Sequence, residues 1–147
     1  MSDLTDLYQE IILDHNKRPR NFREIAGCTC AAEGNNPVCG DEVKVFVRLE
    51  GGMLSDVAFQ GQGCAISRAS ASMMTGKTKG RSKEEARSLF AQVREMLLGS
   101  AAEPPRELGD LGALSGVRQF PARIKCALLP WHTLHAALEG REKATSE

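Results

Sequence analysis

A chain of 147 residues, 41% of them hydrophobic, suffices for one domain with a real core. Its 19 basic and 19 acidic residues cancel. No global field therefore draws it to nucleic acid or to a membrane surface, and no stretch reaches the ~20 apolar residues of a spanning helix. The first residues have neither the basic region nor the apolar run of a signal peptide. The expectation is a cytoplasmic protein with reduced thiols. The odd set Cys28, Cys30, Cys39, Cys64 and Cys126 argues against a disulfide framework. Metal binding, nucleophilic chemistry and core packing remain open.

In chain order, Leu4, Leu7, Tyr8, Ile11 and Ile12 form a helical stripe between Asp3 and His15, with Ser2 or Asp3 as its cap. Pro19 ends it, inside the basic run Lys17–Arg20, which reads as a solvated turn or as a patch for an acidic partner. A weak strand is expected near Ile25–Ala32, then loop chemistry over Glu33-Gly34-Asn35-Asn36-Pro37. Val43, Val45, Val47 and Leu49 alternate with Lys44, Phe46 and Arg48 as a half-buried strand. Gly51-Gly52 turns the chain, and Leu54–Gln60 pairs back.

Ile66, Ala69, Ser70 and Met73 share a helical face that Gly76 is expected to stop. Lys77–Arg81 is a basic linker. Ser82 and Glu85 form a capping-box pattern before the stripe Ala86, Leu89, Phe90, Val93 and Leu97, which ends at Gly99. Ser100–Arg106 reads as a loop with Pro104-Pro105, and Leu108–Val117 as an irregular helical segment. Pro121 suits the first position of a last helix carrying Ile124, Leu128, Trp131, Leu134 and Leu138. The expectation is an α+β fold in one domain over residues 1–147, with a small three-stranded antiparallel sheet against several helices and a disordered tail at 141–147.

Three cysteines sit in settings suited to chemistry. Gly40 lets the backbone bend so that Cys39 and Asp41 face one point, although Asp41 can equally cap a turn. Cys64 opens a helix, where backbone N–H groups and the dipole favour a thiolate. Cys126 lies in the last helix beside Lys125, whose charge favours a thiolate too. Three thiolates and a carboxylate suit tetrahedral zinc, and sulfur-rich sites also hold iron–sulfur clusters. Any one of these cysteines can instead simply pack in the core.

Gly34-Asn35-Asn36-Pro37-Val38-Cys39-Gly40-Asp41 resembles the first motif of the IscU/NifU-type iron–sulfur assembly proteins, and Gly61-Gln62-Gly63-Cys64-Ala65-Ile66-Ser67 their second. Arg123-Ile124-Lys125-Cys126-Ala127-Leu128 resembles the third as the SufU branch has it, as do the helix Leu7–His15 and Pro19-Arg20-Asn21-Phe22. IscU-like scaffolds carry histidine where this chain has Lys125.

The resemblance implies a zinc-dependent sulfur acceptor that takes persulfide sulfur from a SufS-like cysteine desulfurase and passes it toward a downstream iron–sulfur scaffold. It implies zinc on Cys39, Asp41, Cys64 and Cys126, with Cys39 leaving the metal to accept sulfur and Arg123 supporting the site. Such a protein is a sulfurtransferase-like carrier, active with its desulfurase rather than alone. The other reading is a scaffold assembling a [2Fe–2S] cluster, or holding iron, on the same ligands. Neither reading involves nucleic acid or membrane.

Ala71–Thr78 imitates a phosphate-binding loop, but it continues a helix instead of following a buried strand. Cys28 and Cys30 fall outside the three motifs and read as packing or exposed positions. His15 reads as a helix-end residue, and His132 and His135 as surface positions. Pro130 frees the Cys126 carbonyl and is expected either to kink or interrupt the last helix or to be a neutral variation.

Overall fold

A computed structural model describes residues 3–37, 40–99 and 106–145. The expected cap at Ser2, the proline loop over 100–105 and Cys39 itself lie outside the described residues. Helix α1 spans Asp3–Lys17, and strands β1 (Cys30–Asn36), β2 (Asp41–Glu50) and β3 (Met53–Gln62) follow. Helices α2 (Ala65–Thr78) and α3 (Lys83–Leu98) lead into a 3-10 stretch, Arg106–Gln119, that bends at Gly109. Helix α4 (Pro121–Leu138) and a short strand β4 (Lys143–Thr145) complete the order.

The sheet order is β3-β2-β1-β4. β1, β2 and β3 are antiparallel neighbours, and β4 runs parallel to β1. The expected three-stranded antiparallel sheet is thus a four-stranded mixed one. Residues 143–145 form its edge where the sequence reading placed a tail. Chain order alone does not disclose this pairing: three residues are too short for a periodicity signal, and Glu33 donates its N–H to the Glu142 carbonyl at 2.8 Å to start it.

β1 also departs from expectation. The strand occupies Cys30–Asn36, so Glu33–Asn36, read as loop, is ladder paired to β2 with Asn36 opposite Asp41. The reason is close packing. Ala32, Gly34 and Asn36 face inward onto α4, and a Cβ at Gly34 would collide with Thr133 Oγ1. Small and turn-prone residues here make room for a helix rather than a turn.

β2 follows its alternation. Asp41, Val43, Val45 and Val47 are buried beneath the helices, while Glu42 and Lys44 face out. Phe46 points outward too but is buried with Ile25 and Ala58 under the segment before β1. Gly51 and Gly52, both at positive φ, make the β2–β3 turn. The capping box of α3 forms as read: Ser82 Oγ accepts from the Glu85 N–H at 3.1 Å, and the Glu85 carboxylate accepts from the Ser82 N–H at 3.0 Å.

Two stop signals are overridden. α2 passes Gly76 and ends after Thr78, with Thr75 and Thr78 of its last turn buried against the fold. α4 continues through Pro130 as one helix. Most of α4 from Cys126 to Leu138 is buried, so packing on several sides offsets the lost backbone bond. Residues 71–75, the phosphate-loop imitation, are buried inside α2. No described helix is long and apolar enough to cross a membrane.

Candidate metal centre

Three chain segments meet at the N-terminal end of α2. β2 begins with Asp41, whose side chain is fully buried. Gly63 passes directly over it, and a Cβ there would collide with Asp41 Oδ1, so glycine is required for the approach. The Cys64 N–H then donates to Asp41 Oδ1 at 2.8 Å.

Cys64 is itself the N-cap of α2. Its Sγ accepts the Ser67 N–H at 3.5 Å, as a capping serine's oxygen would, and lies 3.8 Å from Asp41 Oδ2. The free backbone donors of the helix end stabilise negative charge on this sulfur.

Cys126 comes from the second turn of α4 and is fully buried. Its thiol donates to the Ala122 carbonyl at 3.7 Å, and the Asn36 amide Nδ2 donates to its Sγ at 3.7 Å. Asp41, Cys64 and Cys126 each bring one ligand atom within 4.8 Å of the others. A tetrahedral ion with bonds of about 2.0–2.3 Å separates its ligands by roughly 3.3–3.8 Å. The donor set fits such an ion: two sulfurs and a buried carboxylate face one another, and a buried carboxylate without a cation is costly. Two thiol protons now make the bonds to Asp41 and Ala122, and a metal replaces those protons.

The structure therefore brings together three of the four expected ligands. The fourth, Cys39, lies outside the described residues, two positions before Asp41 and one before Gly40, whose φ is 72°. The Gly40 N–H donates to the Asn36 carbonyl at 2.9 Å. Arg123 is exposed on α4, three residues before Cys126, and it borders a cavity of about 540 Å³ between α1 and the start of α2. Lys125 is exposed beside Cys126.

The remaining thiols and histidines lie elsewhere. Cys28 and Cys30 are half-buried, Cys30 at the end of β1 away from Asn36, and burial pushes the Cys30 thiol up. His15, read as a helix-end residue, is buried, with Nδ1 2.8 Å from Ser72 Oγ. His132 and His135 are half-buried around Phe90 instead of lying on the surface. Sequence reasoning missed Asn36, whose side chain reaches Cys126. Its place beside proline made it look like turn chemistry, and only its proximity to the first cysteine motif hinted otherwise.

The model of the NifU-like N-terminal domain matches residues 7–127. The chain belongs to that family. A member from Bacillus subtilis, named as the zinc-dependent sulfurtransferase SufU, is 41% identical over 96% of this chain and 95% of its own length. Another, from Streptococcus pyogenes, is named as the iron–sulfur cluster assembly scaffold IscU. It is 42% identical over 95% of this chain and 87% of its own. Among solved structures of the family, one titled as a putative scaffold of the SUF system from Fervidobacterium islandicum superposes with a TM-score of 0.82. It shares 37% identity, covering 88% of this chain and 94% of that one.

Proposed function

We propose that this NifU-like protein is a zinc-dependent sulfur acceptor of iron–sulfur cluster assembly. It receives persulfide sulfur from a cysteine desulfurase on Cys39 and hands it to a downstream scaffold in the cytoplasm. The observation that carries the reading is the meeting of Asp41, Cys64 and Cys126 at the head of α2, with Cys39 two residues from Asp41. Lys125 supports sulfur transfer over cluster building, because the scaffold-type proteins this chain resembles have histidine there.

Cys39, Asp41, Cys64 and Cys126 would hold the ion. Zinc supplies Lewis acidity that favours thiolates near neutral pH, with no redox change of its own. The chain supplies the rest. The α2 N-terminus holds Cys64, the Cys64 N–H fixes the Asp41 carboxylate, and Gly63 lets the two approach. Cys39 is the reacting group. Its thiolate attacks the outer sulfur of the desulfurase's cysteine persulfide, and a new S–S bond forms as the old one breaks. The desulfurase cysteine leaves as a thiolate, so the transfer is redox-neutral. Arg123 contributes a positive charge one turn from Cys126, where an anionic sulfur species arrives. The chain acts with its desulfurase, as a carrier rather than as a self-sufficient enzyme.

The test is incubation with a desulfurase and cysteine, followed by thiol alkylation and mass spectrometry. The wild-type chain gains one sulfur on Cys39, and Cys39→Ala gains none at any cysteine. Undiminished labelling of that variant would overturn the assignment. The 42% identity to a protein named as an IscU scaffold favours a second reading, assembly of a [2Fe–2S] cluster on the same ligands. Metal analysis of protein purified without oxygen separates the two. About one zinc per chain and no visible colour supports sulfur transfer, and brown protein with iron and sulfide supports the scaffold.

A further inference from the structure

Asn36 occupies an unusual position for an amide. It is fully buried at the end of β1, directly opposite Asp41 in the β1–β2 ladder. Its carbonyl accepts the Gly40 N–H at 2.9 Å, next to Asp41 in sequence. Its side-chain Nδ2 donates to Cys126 Sγ at 3.7 Å, across 90 residues of sequence. One residue thus touches both the loop of the first motif and the ligand atom of the third.

The bonds at Cys126 from Asn36 and to Ala122 respond differently to a metal. The thiol donates to the Ala122 carbonyl at 3.7 Å along its own helix. A metal displaces that proton, so this bond is lost and the carbonyl faces a sulfur bearing negative charge. The Asn36 bond has the opposite polarity: the amide hydrogen points at sulfur, and charge-assisted hydrogen bonds are the stronger kind. We propose that Asn36 is a positioning residue of the metal centre. It turns the Cys126 sulfur toward Asp41 and Cys64 and disperses its charge once an ion is bound. The proposal rests on reading this cluster as a metal centre. Outer partners of this kind orient ligands, and their loss typically costs 10–100-fold in metal affinity.

The test compares wild type, Asn36→Leu and Asn36→Asp, with Thr133→Val as a control buried beside Gly34 and away from Cys126. Zinc affinity is read by competition with a chromophoric chelator, and cobalt(II) substitution gives the sulfur-to-metal charge-transfer bands. Asn36→Leu is expected to lose about 10–100-fold in affinity. Its charge-transfer bands should move to longer wavelength, because a sulfur without the amide donor gives up electrons more easily. Asn36→Asp is similar in size and keeps the backbone bond to Gly40. Its ionised carboxylate has no hydrogen to give the sulfur, so the same band shift is expected, while its charge attracts a cation; the bands therefore carry the test if the leucine variant does not fold. Thr133→Val is expected to keep both readouts.

Unchanged affinity and unchanged bands in the Asn36 variants, or an equal loss in Thr133→Val, would overturn the positioning role. Absence of thiolate charge-transfer bands in the wild type would instead overturn the metal centre itself.

Discussion

Two polar clusters lean on α2, one at its first turn and one further along, and each sets an acid beside a nucleophile. At the first turn Asp41, Cys64 and Cys126 converge. Further along, Asp110, His15 and Ser72 line up: His15 Nδ1 is 2.8 Å from Ser72 Oγ, and Nε2 is 3.7 Å from the Asp110 carboxylate. Residue types alone would make the second cluster the more enzyme-like, since an acid–histidine–serine series is the hydrolase pattern. Its surroundings argue otherwise. Ser72 is fully buried, and its Oγ already accepts the Arg20 N–H at 2.8 Å. That cluster binds α1, the following loop and the 3-10 stretch to α2. In the first cluster, soft and anionic atoms are held facing one another by backbone and amide donors, an arrangement that a cation completes.

The contrast is sharpest under substitution. Asp41→Ala removes a ligand and is expected to lower zinc affinity by more than about 100-fold, beyond the cost of losing an outer partner. Chelator competition reads this, and a loss under tenfold would erase the distinction between the clusters. Ser72→Ala leaves His15 and the Arg20 N–H without their shared partner. It should cost about 1–3 kcal/mol of stability in urea unfolding while zinc affinity stays at the wild-type value. A drop in affinity there would mean that the two clusters are coupled through α2.

The smallest effect is on pH dependence. Burial, with help from the Arg20 charge, holds His15 below the ordinary histidine value despite nearby Asp110 and Asp14. The unfolded chain therefore takes up the proton first as pH falls. The stability contribution is complete above about pH 6.5 and is lost as pH drops through the lowered value. Burial lowers His132 in the same direction. His15→Gln should therefore flatten the decline of unfolding free energy between about pH 7 and 5 without abolishing it. An unchanged slope would leave His132 as the sole source.

Elements with strong local signals were legible from sequence. The alternation in β2, the Gly51-Gly52 turn and the Ser82–Glu85 box each follow from neighbours a few residues apart. What escaped depends on distant partners. Gly34 and Asn36 read as loop because their reason for being small or polar lies on α4, at Thr133 and Cys126. Gly76 read as a stop because the burial of Thr75 and Thr78 around it depends on distant packing and has no local pattern. The meeting of Asp41, Cys64 and Cys126 was legible for another reason. Its three motifs are short contiguous strings, and they survive as such even though the fold joins residues 85 positions apart. His15 read only as a helix-end residue because nothing local announces Ser72, 57 residues away.

Strand β4 has a practical consequence. Its ladder covers Glu33–Asn35, the outer rim of the strand that ends at Asn36 beside Cys126. A chain shortened before Lys143 would bare that rim, and bare strand rims recruit other strands, including those of identical molecules. A fusion placed after Thr145 would pull on the same three residues. Purification handles therefore belong on the N-terminal side of α1. Aggregation or altered metal binding in a shortened chain should be traced first to this seam, before any fault is sought at Asp41, Cys64 or Cys126.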